Sequence, residues 1–311
     1  MRIVLAPMEG LADFHLRRLI TAQGAYDWVV SEFVRVVDRL YPDHVLYSNC
    51  PELQHGGRTE SGTPLRVQLL GSDPGAMAAN AVRVVELGSH GVDINFGCPS
   101  KTVNRRAGGA VMLKEPESLY RVVSAIRAAL PDSVMVSAKM RLGFDDTSLM
   151  LENAAAIESA GAGELTVHAR TRSQGYAPPA HWEALGEIRQ HITIPLIANG
   201  DICSLHDYQR CVAIAGTADV MLGRGAVRQP FLARQIRANQ AMEYPWLHIS
   251  PLLSDFWQQI SQTLSPRDRV GRIKQWLNYL RQSHPEAEAL WHMIRLEKSH
   301  QIIESHLFPA P

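Results

Sequence analysis

Four short stretches of the chain carry side chains that can do chemistry. The first, Asp93-Ile94-Asn95-Phe96-Gly97-Cys98-Pro99-Ser100-Lys101, holds a thiol between a glycine and a proline, just after an apolar run. A lone cysteine is ordinarily a small buried hydrophobe, but a stiff loop at the end of a strand presents it outward. In the second, Val134-Met135-Val136-Ser137-Ala138-Lys139-Met140, a lysine lies within an apolar segment. Such an amine has three uses: a Schiff base once desolvation lowers its pKa, a cation beside an electron-rich ring, or a strand-end group that reaches for water. The residues alone leave all three open. The remaining two stretches, Asn199-Gly200-Asp201 and Gly223-Arg224-Gly225, suit an anion. Glycines let backbone N–H groups come close, a helix N-terminus adds a favourable dipole, and an arginine binds bidentately. Tight turns would use the same glycines.

Something must bring these stretches to one place. Apolar runs recur at Ile3–Ala6, Trp28–Val30, Leu65–Leu70, Val92–Ile94, Val134–Met140, Leu165–Val167, Ile194–Ala198 and Val220–Leu222. Amphipathic stretches such as Leu119–Leu130 lie between them. Strands alternating with helices predict a parallel sheet, and eight such units predict an α/β TIM (β/α)8 barrel, with an open doubly wound sheet as the alternative. In a barrel the chemistry sits where strands end. Polar side chains follow the runs in register: Pro7-Met8-Glu9, Ser31-Glu32, Gln68, Asn95 to Cys98, Lys139 with Arg141, His168 with Arg170, and the two glycine loops.

After about residue 238 the alternation stops. Met242-Glu243-Tyr244-Pro245-Trp246 reads as a linker, followed by helical segments near Asp255–Leu264, Arg267–Gln282 and Glu286–His306, broken at Pro266 and Pro285. The division expected is 1–240 for a catalytic barrel and 241–311 for a small all-helical domain. On Arg267–Gln282 an apolar stripe of Val270, Ile273, Leu277 and Leu280 opposes Arg272, Gln275 and Tyr279, with Trp276 at the edge.

Lys plus Arg equals Asp plus Glu at 31 each. This argues against a basic coat protein but not against local basic patches. Cys50, Cys98, Cys203 and Cys211 form no C-x-x-C pair and no zinc spacing, so no metal is expected and a reduced, cytoplasmic protein is. No apolar run approaches the ~18 residues of a membrane span.

In this setting the chain resembles the tRNA-dihydrouridine synthases. The matching motifs are Leu5-Ala6-Pro7-Met8-Glu9-Gly10, Val67-Gln68-Leu69-Leu70-Gly71, Asn95-Phe96-Gly97-Cys98-Pro99, Lys139-Met140-Arg141-Leu142-Gly143, Val167-His168-Ala169-Arg170-Thr171, Ile197-Ala198-Asn199-Gly200-Asp201 and Met221-Leu222-Gly223-Arg224-Gly225. They occur in the family's order across nearly the whole barrel. Glu32-Phe33-Val34-Arg35-Val36-Val37-Asp38, Cys50-Pro51-Glu52-Leu53-Gln54 and Arg272-Ile273-Lys274-Gln275-Trp276-Leu277 resemble the bacterial C subfamily. Asn104-Arg105-Arg106-Ala107-Gly108-Gly109 is poorer in glycine than that family's loop.

The resemblance implies FMN, reduced by NADPH, and hydride transfer to C6 of a uridine in tRNA, position 16 of the D-loop by subfamily. Cys98 would then protonate C5. Pro7, Met8, Glu9, Gln68, Lys139, His168, Asn199, Gly200, Asp201, Gly223 and Arg224 would hold FMN. Asn95, Arg141 and Tyr176 would face the uracil, and Arg35, Arg272, Lys274 and Gln275 would orient the tRNA. A general acid needs its proton, so the Cys98 thiol is expected at or above its ordinary pKa. No protein partner and a monomer are expected. Other readings are a flavin barrel acting on a free pyrimidine, an aldolase working through Lys139, and a non-catalytic RNA chaperone.

Overall fold

The structure, a computed structural model, describes residues 1–105 and 107–308. Arg106, in the glycine-poor loop, and 309–311, the last residues of the expected tail domain, lie outside the described residues. The strands are β1 (Ile3–Leu5), β2 (Trp28–Val30), β3 (Val34–Arg35), β4 (Leu65–Leu70), β5 (Val92–Phe96), β6 (Val136–Arg141), β7 (Glu164–His168), β8 (Leu196–Asn199) and β9 (Val220–Leu222). All ladders are parallel, and β1 pairs with both β2 and β9, so the sheet closes into the eight-stranded barrel.

The predicted runs all form strands, three with the bounds expected and the others with ends shifted by one or two residues. The ninth strand was not foreseen. β2 pairs with the start of β4 and β3 with its end, so the two are halves of one barrel strand interrupted at Ser31 to Phe33. Ser31 repairs the gap: its Oγ accepts the Gln68 N–H at 3.0 Å, and its own N–H reaches the Arg66 carbonyl.

Strand register sets the site. Gln68, Asp93, Ser137 and Glu164 are ladder partners across one level, and Asn95, Lys139 and Thr166 lie one step higher. Arg141, His168, Asn199 and Met221 form the level above. Alternation sends the intervening residues outward, where Ile3, Leu5, Val67, Ile94, Ala138, Val167 and Ala198 join the main core against the helices. On the lowest of these levels, Glu164 is buried between the Arg2 and Arg66 guanidinium groups, and Arg66 lies 4.0 Å from the centre of the Trp28 ring. The barrel floor is therefore closed by paired charges.

Beyond β9 the described residues are helical: Arg224–Arg228, Leu232–Ala238, Trp246–Thr263, Pro266–Leu280, Pro285–Ile294 and His300–Leu307. Two sequence expectations need correction. The first tail helix begins at Trp246, inside the expected linker. The third segment is two helices, because Glu297 turns its carboxylate onto the Lys298 and Ser299 N–H groups and ends the first. Lys274 stabilises that break by donating to the Arg295 and Glu297 carbonyls. Trp276, expected at a helix edge, is buried, donates Nε1–H to the Val227 carbonyl at 3.1 Å, and packs edge-on to Phe256. The apolar core runs unbroken from the barrel helices into this tail.

Candidate active site

The strand ends open into a cavity of ≈ 400 Å³. Its lining gathers Pro7, Met8, Glu9, Asn95, Cys98, Lys139, Arg141, His168, Tyr176, Asn199, Gly200, Asp201, Gly223, Arg224 and Gln275. Four residues singled out from the sequence lie elsewhere. Gln68 is buried in the floor, behind the lining, and Arg35, Arg272 and Lys274 are also outside the lining. Phe33 and Tyr279 line the cavity without having been singled out for it. Tyr279 stands one helical turn past Gln275, so the i,i+4 spacing was the available signal.

Cys98 is held by its backbone. Its carbonyl accepts from the Ala110 N–H at 3.1 Å and from Asn104 Nδ2 at 3.2 Å. Gly109 packs against it with φ +70, and a Cβ there would stand 3.0 Å from the Cys98 Cβ. Glycine is thus required at 109 both for conformation and for space. The side chain packs with Leu70, Val103 and Phe33. Burial pushes the Cys98 thiol up, and nearby Glu9 adds to this. A hydrogen bond from the Ser100 backbone and the guanidinium groups of Arg141 and Arg35 pull the other way without prevailing. The thiol therefore keeps its proton at neutral pH, as an acid must and a nucleophile must not.

On the floor, polarity is fixed from both ends. Asp93 accepts from Gln68 Nε2 at 2.6 Å and from Ser137 Oγ at 2.7 Å. Gln68 Oε1 therefore faces Asn95 Nδ2, at 2.7 Å, while Asn95 Oδ1 takes the Gly97 N–H at 2.9 Å. One Asn95 N–H is left to serve the cavity as a donor. Burial drives Asp93 up to about 6 despite these bonds and the nearby charges of Lys139 and Arg66. Burial, then the Arg141 guanidinium, brings Lys139 down to about 8, against the pull of Asp93. Lys139 Nζ donates to Asn199 Oδ1 at 3.1 Å, and Asn199 Nδ2 is fixed on the Met221 carbonyl.

Arg141 is buried and ties loops together: Nε donates to the Gly97 carbonyl at 2.7 Å and Nη1 to the Gly175 carbonyl at 2.9 Å. Tyr176, 53% exposed at the rim, has the Arg141 and Arg224 guanidinium groups 5.1 and 5.3 Å from its ring centre. At the glycine loops the backbones nearly touch. A Cβ on Gly225 would stand 2.1 Å from the Ile202 carbonyl oxygen, so the loop closes only with glycine. The side of the cavity bearing Lys139, His168 and Arg224 is cationic and rich in donors. It suits an anion joined to a planar ring with carbonyl acceptors.

The helix Pro266–Leu280 reaches this rim. Arg272 pairs with Asp13 at 2.8 Å and donates to the Gly10 and Leu11 carbonyls, and Gln275 Nε2 also donates to the Gly10 carbonyl. It therefore braces the loop that carries Met8 and Glu9.

Comparison with known proteins follows the same line. Residues 4–302 match the Dihydrouridine synthase (Dus) family. The chain is 48% identical to a tRNA-dihydrouridine(16) synthase of Aquipseudomonas alcaligenes, over 100% of both chains. It is also 48% identical to one of Pseudomonas syringae pv. tomato, over 96% of this chain and 95% of that one. Among solved structures it shares a fold with histamine dehydrogenase from Rhizobium sp. 4-9, with a TM-score of 0.57 and 14% identity over 83% of this chain and 48% of that one. A 2-naphthoyl-CoA reductase superposes with a TM-score of 0.60 and 13% identity, over 77% of this chain and 50% of that one. On its motifs, its closed barrel and full-length relatedness, this chain belongs to the dihydrouridine synthase family.

Proposed function

We propose that this protein reduces one uridine of tRNA, position 16 in the D-loop, to 5,6-dihydrouridine, with FMN as its flavin and NADPH as reductant. The observation that carries this reading is a thiol, Cys98, lining the same cavity as a cationic, glycine-lined cradle. The residues present fit a flavin mononucleotide. The loops at Gly200 and Gly223 to Gly225 with Arg224 would hold its phosphate, Lys139 and Asn199 would face its ring, and Gln68 would support that end from beneath by fixing Asn95. When bound, the flavin supplies the hydride that adds to C6 of the pyrimidine.

The chain's own residues do the rest. The free Asn95 N–H and the Arg141 guanidinium bind uracil carbonyls, where negative charge gathers as C6 is reduced. Cys98 then delivers the Sγ proton to C5. The target base is shielded in folded tRNA and must be flipped into the cavity. Tyr176 at the rim gives it a face to stack on. Residues 241–311 act as the tRNA-binding domain, and Arg35 and Lys274 join Arg272 and Gln275 in orienting it. The buried free cysteines Cys50 and Cys211 suit a reducing cytoplasm, and the protein works as a monomer.

The test is anaerobic. The bound flavin is reduced, tRNA lacking dihydrouridine is added, and flavin absorbance is followed beside a fully modified tRNA. Reoxidation by the unmodified tRNA alone is expected. Reoxidation by free uridine and not by tRNA would overturn the reading.

The same assay has a pH signature. Asp93 is ionised above about 6 and Lys139 is charged below about 8, so both charges coexist only between these values. A bell-shaped single-turnover rate is expected, with apparent limbs near those values. Lys139→Met removes the alkaline limb, and its persistence in that variant would exclude Lys139 as its source. Arg272→Ala is expected to weaken tRNA binding about tenfold, through both a lost phosphate charge and a loosened Gly10 loop, and to reduce the salt slope by about one. An unchanged salt slope in filter binding would leave Arg272 as a brace only.

A further inference from the structure

Arg170 is one of the largest fully buried side chains, and the chemistry above does not use it. Its guanidinium meets three elements of the cationic end. Nε donates to the Ala177 carbonyl at 2.8 Å, beside Tyr176. Nη1 lies 3.1 Å from His168 Nε2. Nη2 is bound to Asp201 Oδ2. Asp201, held at φ +53, also accepts the Ala180 N–H at 2.9 Å and lies 3.6 Å from Arg224.

A guanidinium has five N–H donors and no acceptor, so the nitrogen facing it must carry a lone pair. In an imidazole that places the single proton on the other nitrogen. We propose that Arg170 is a positioning residue for the cofactor end of the cavity: it fixes His168 as the tautomer with its proton on Nδ1, and through Asp201 it aims Arg224. This rests on the flavin reading only for the identity of the bound anion.

The surroundings agree. Lys139 and Arg141 on β6, Arg170 beside β7 and Arg224 after β9 all place positive charge near His168, and Asp201 is already paired with two of these arginines. A second proton on the ring would have to enter among these cations. Burial and these charges together hold His168 neutral, well below the usual histidine range. The imidazole is therefore a fixed N–H donor whose charge does not vary where histidines ordinarily titrate.

The test uses ¹⁵N-histidine-labelled holoprotein, with His168 identified by its absence in His168→Gln. Between about pH 6 and 8, His168 is expected to show a bare Nε2 and a protonated Nδ1 throughout. A proton on Nε2, or titration within that range, overturns the proposal. In Arg170→Met the ring is expected to shift towards the Nε2–H form, and FMN retention on dialysis to weaken about tenfold, the loss of roughly one charge-assisted hydrogen bond. Weaker FMN with an unchanged tautomer would reduce Arg170 to a structural residue and overturn the proposal. If that variant does not fold, the wild-type spectrum decides alone. A protein that binds no flavin would sink the proposed function while leaving the tautomer intact.

Discussion

Cys98→Ala is expected to slow tRNA reduction by about 10²- to 10⁴-fold, the range over which a positioned general acid acts, while flavin stays bound and tRNA still binds. The size follows from the setting. The thiol packs with Leu70, Val103 and Phe33 and keeps its proton because burial outweighs the pull of Arg141 and Arg35. Its own loop offers no replacement acid, since the groups flanking the thiol are Gly97 and Pro99. Cys98→Ser fills the space but offers a weaker acid, so its rate should fall between the two. The measurement is single-turnover reoxidation of the reduced flavin by unmodified tRNA. A variant as fast as wild type would mean that water or another side chain supplies the C5 proton.

The largest expected loss of stability lies on the outer layer. Arg17, on the helix Phe14–Ala22, is fully buried and grips Glu52 with two hydrogen bonds, 2.8 and 2.9 Å, while Nη1 reaches the Ala12 carbonyl. Arg17→Leu leaves a buried carboxylate without a partner, which costs about 3–5 kcal/mol. Urea unfolding should show a lower midpoint at an unchanged slope. Arg17→Leu combined with Glu52→Leu should recover most of the loss, because the penalty belongs to the orphaned charge and not to the absent pair. A single-variant loss below about 1 kcal/mol would mean that the pair behaves as a surface ion pair, with water reaching it.

The sequence carried the barrel because the apolar runs end at polar side chains, which the strand register then stacks into levels such as Asn95, Lys139 and Thr166. It carried most of the cavity lining for the same reason. Four things were not legible, each for a tertiary reason. The break between β2 and β3 depends on the Ser31 hydroxyl standing in for a ladder group, which no periodicity announces. The end of the helix Pro285–Ile294 depends on Glu297 and on Lys274 from another helix. Arg272 looked like a free basic residue on a polar face, yet its guanidinium is paired with Asp13 and two carbonyls some 260 positions away in sequence. Arg170 lay inside the motif Val167-His168-Ala169-Arg170-Thr171, but its role came only with the 3.1 Å approach to His168.

The pairing of β1 with β9 has a consequence for how the chain is made. On the edge away from β2, Ile3, Val4 and Leu5 find their partners at Val220, Met221 and Leu222. At a synthesis rate of about 5–20 residues per second, roughly 10–40 s pass between the emergence of one strand and the other. Throughout that interval the nascent barrel carries an open apolar edge, the kind of surface that recruits another chain. The last strand made is the one that ends this exposure, so ribosome-bound intermediates of this protein should depend on holding chaperones until that strand has emerged.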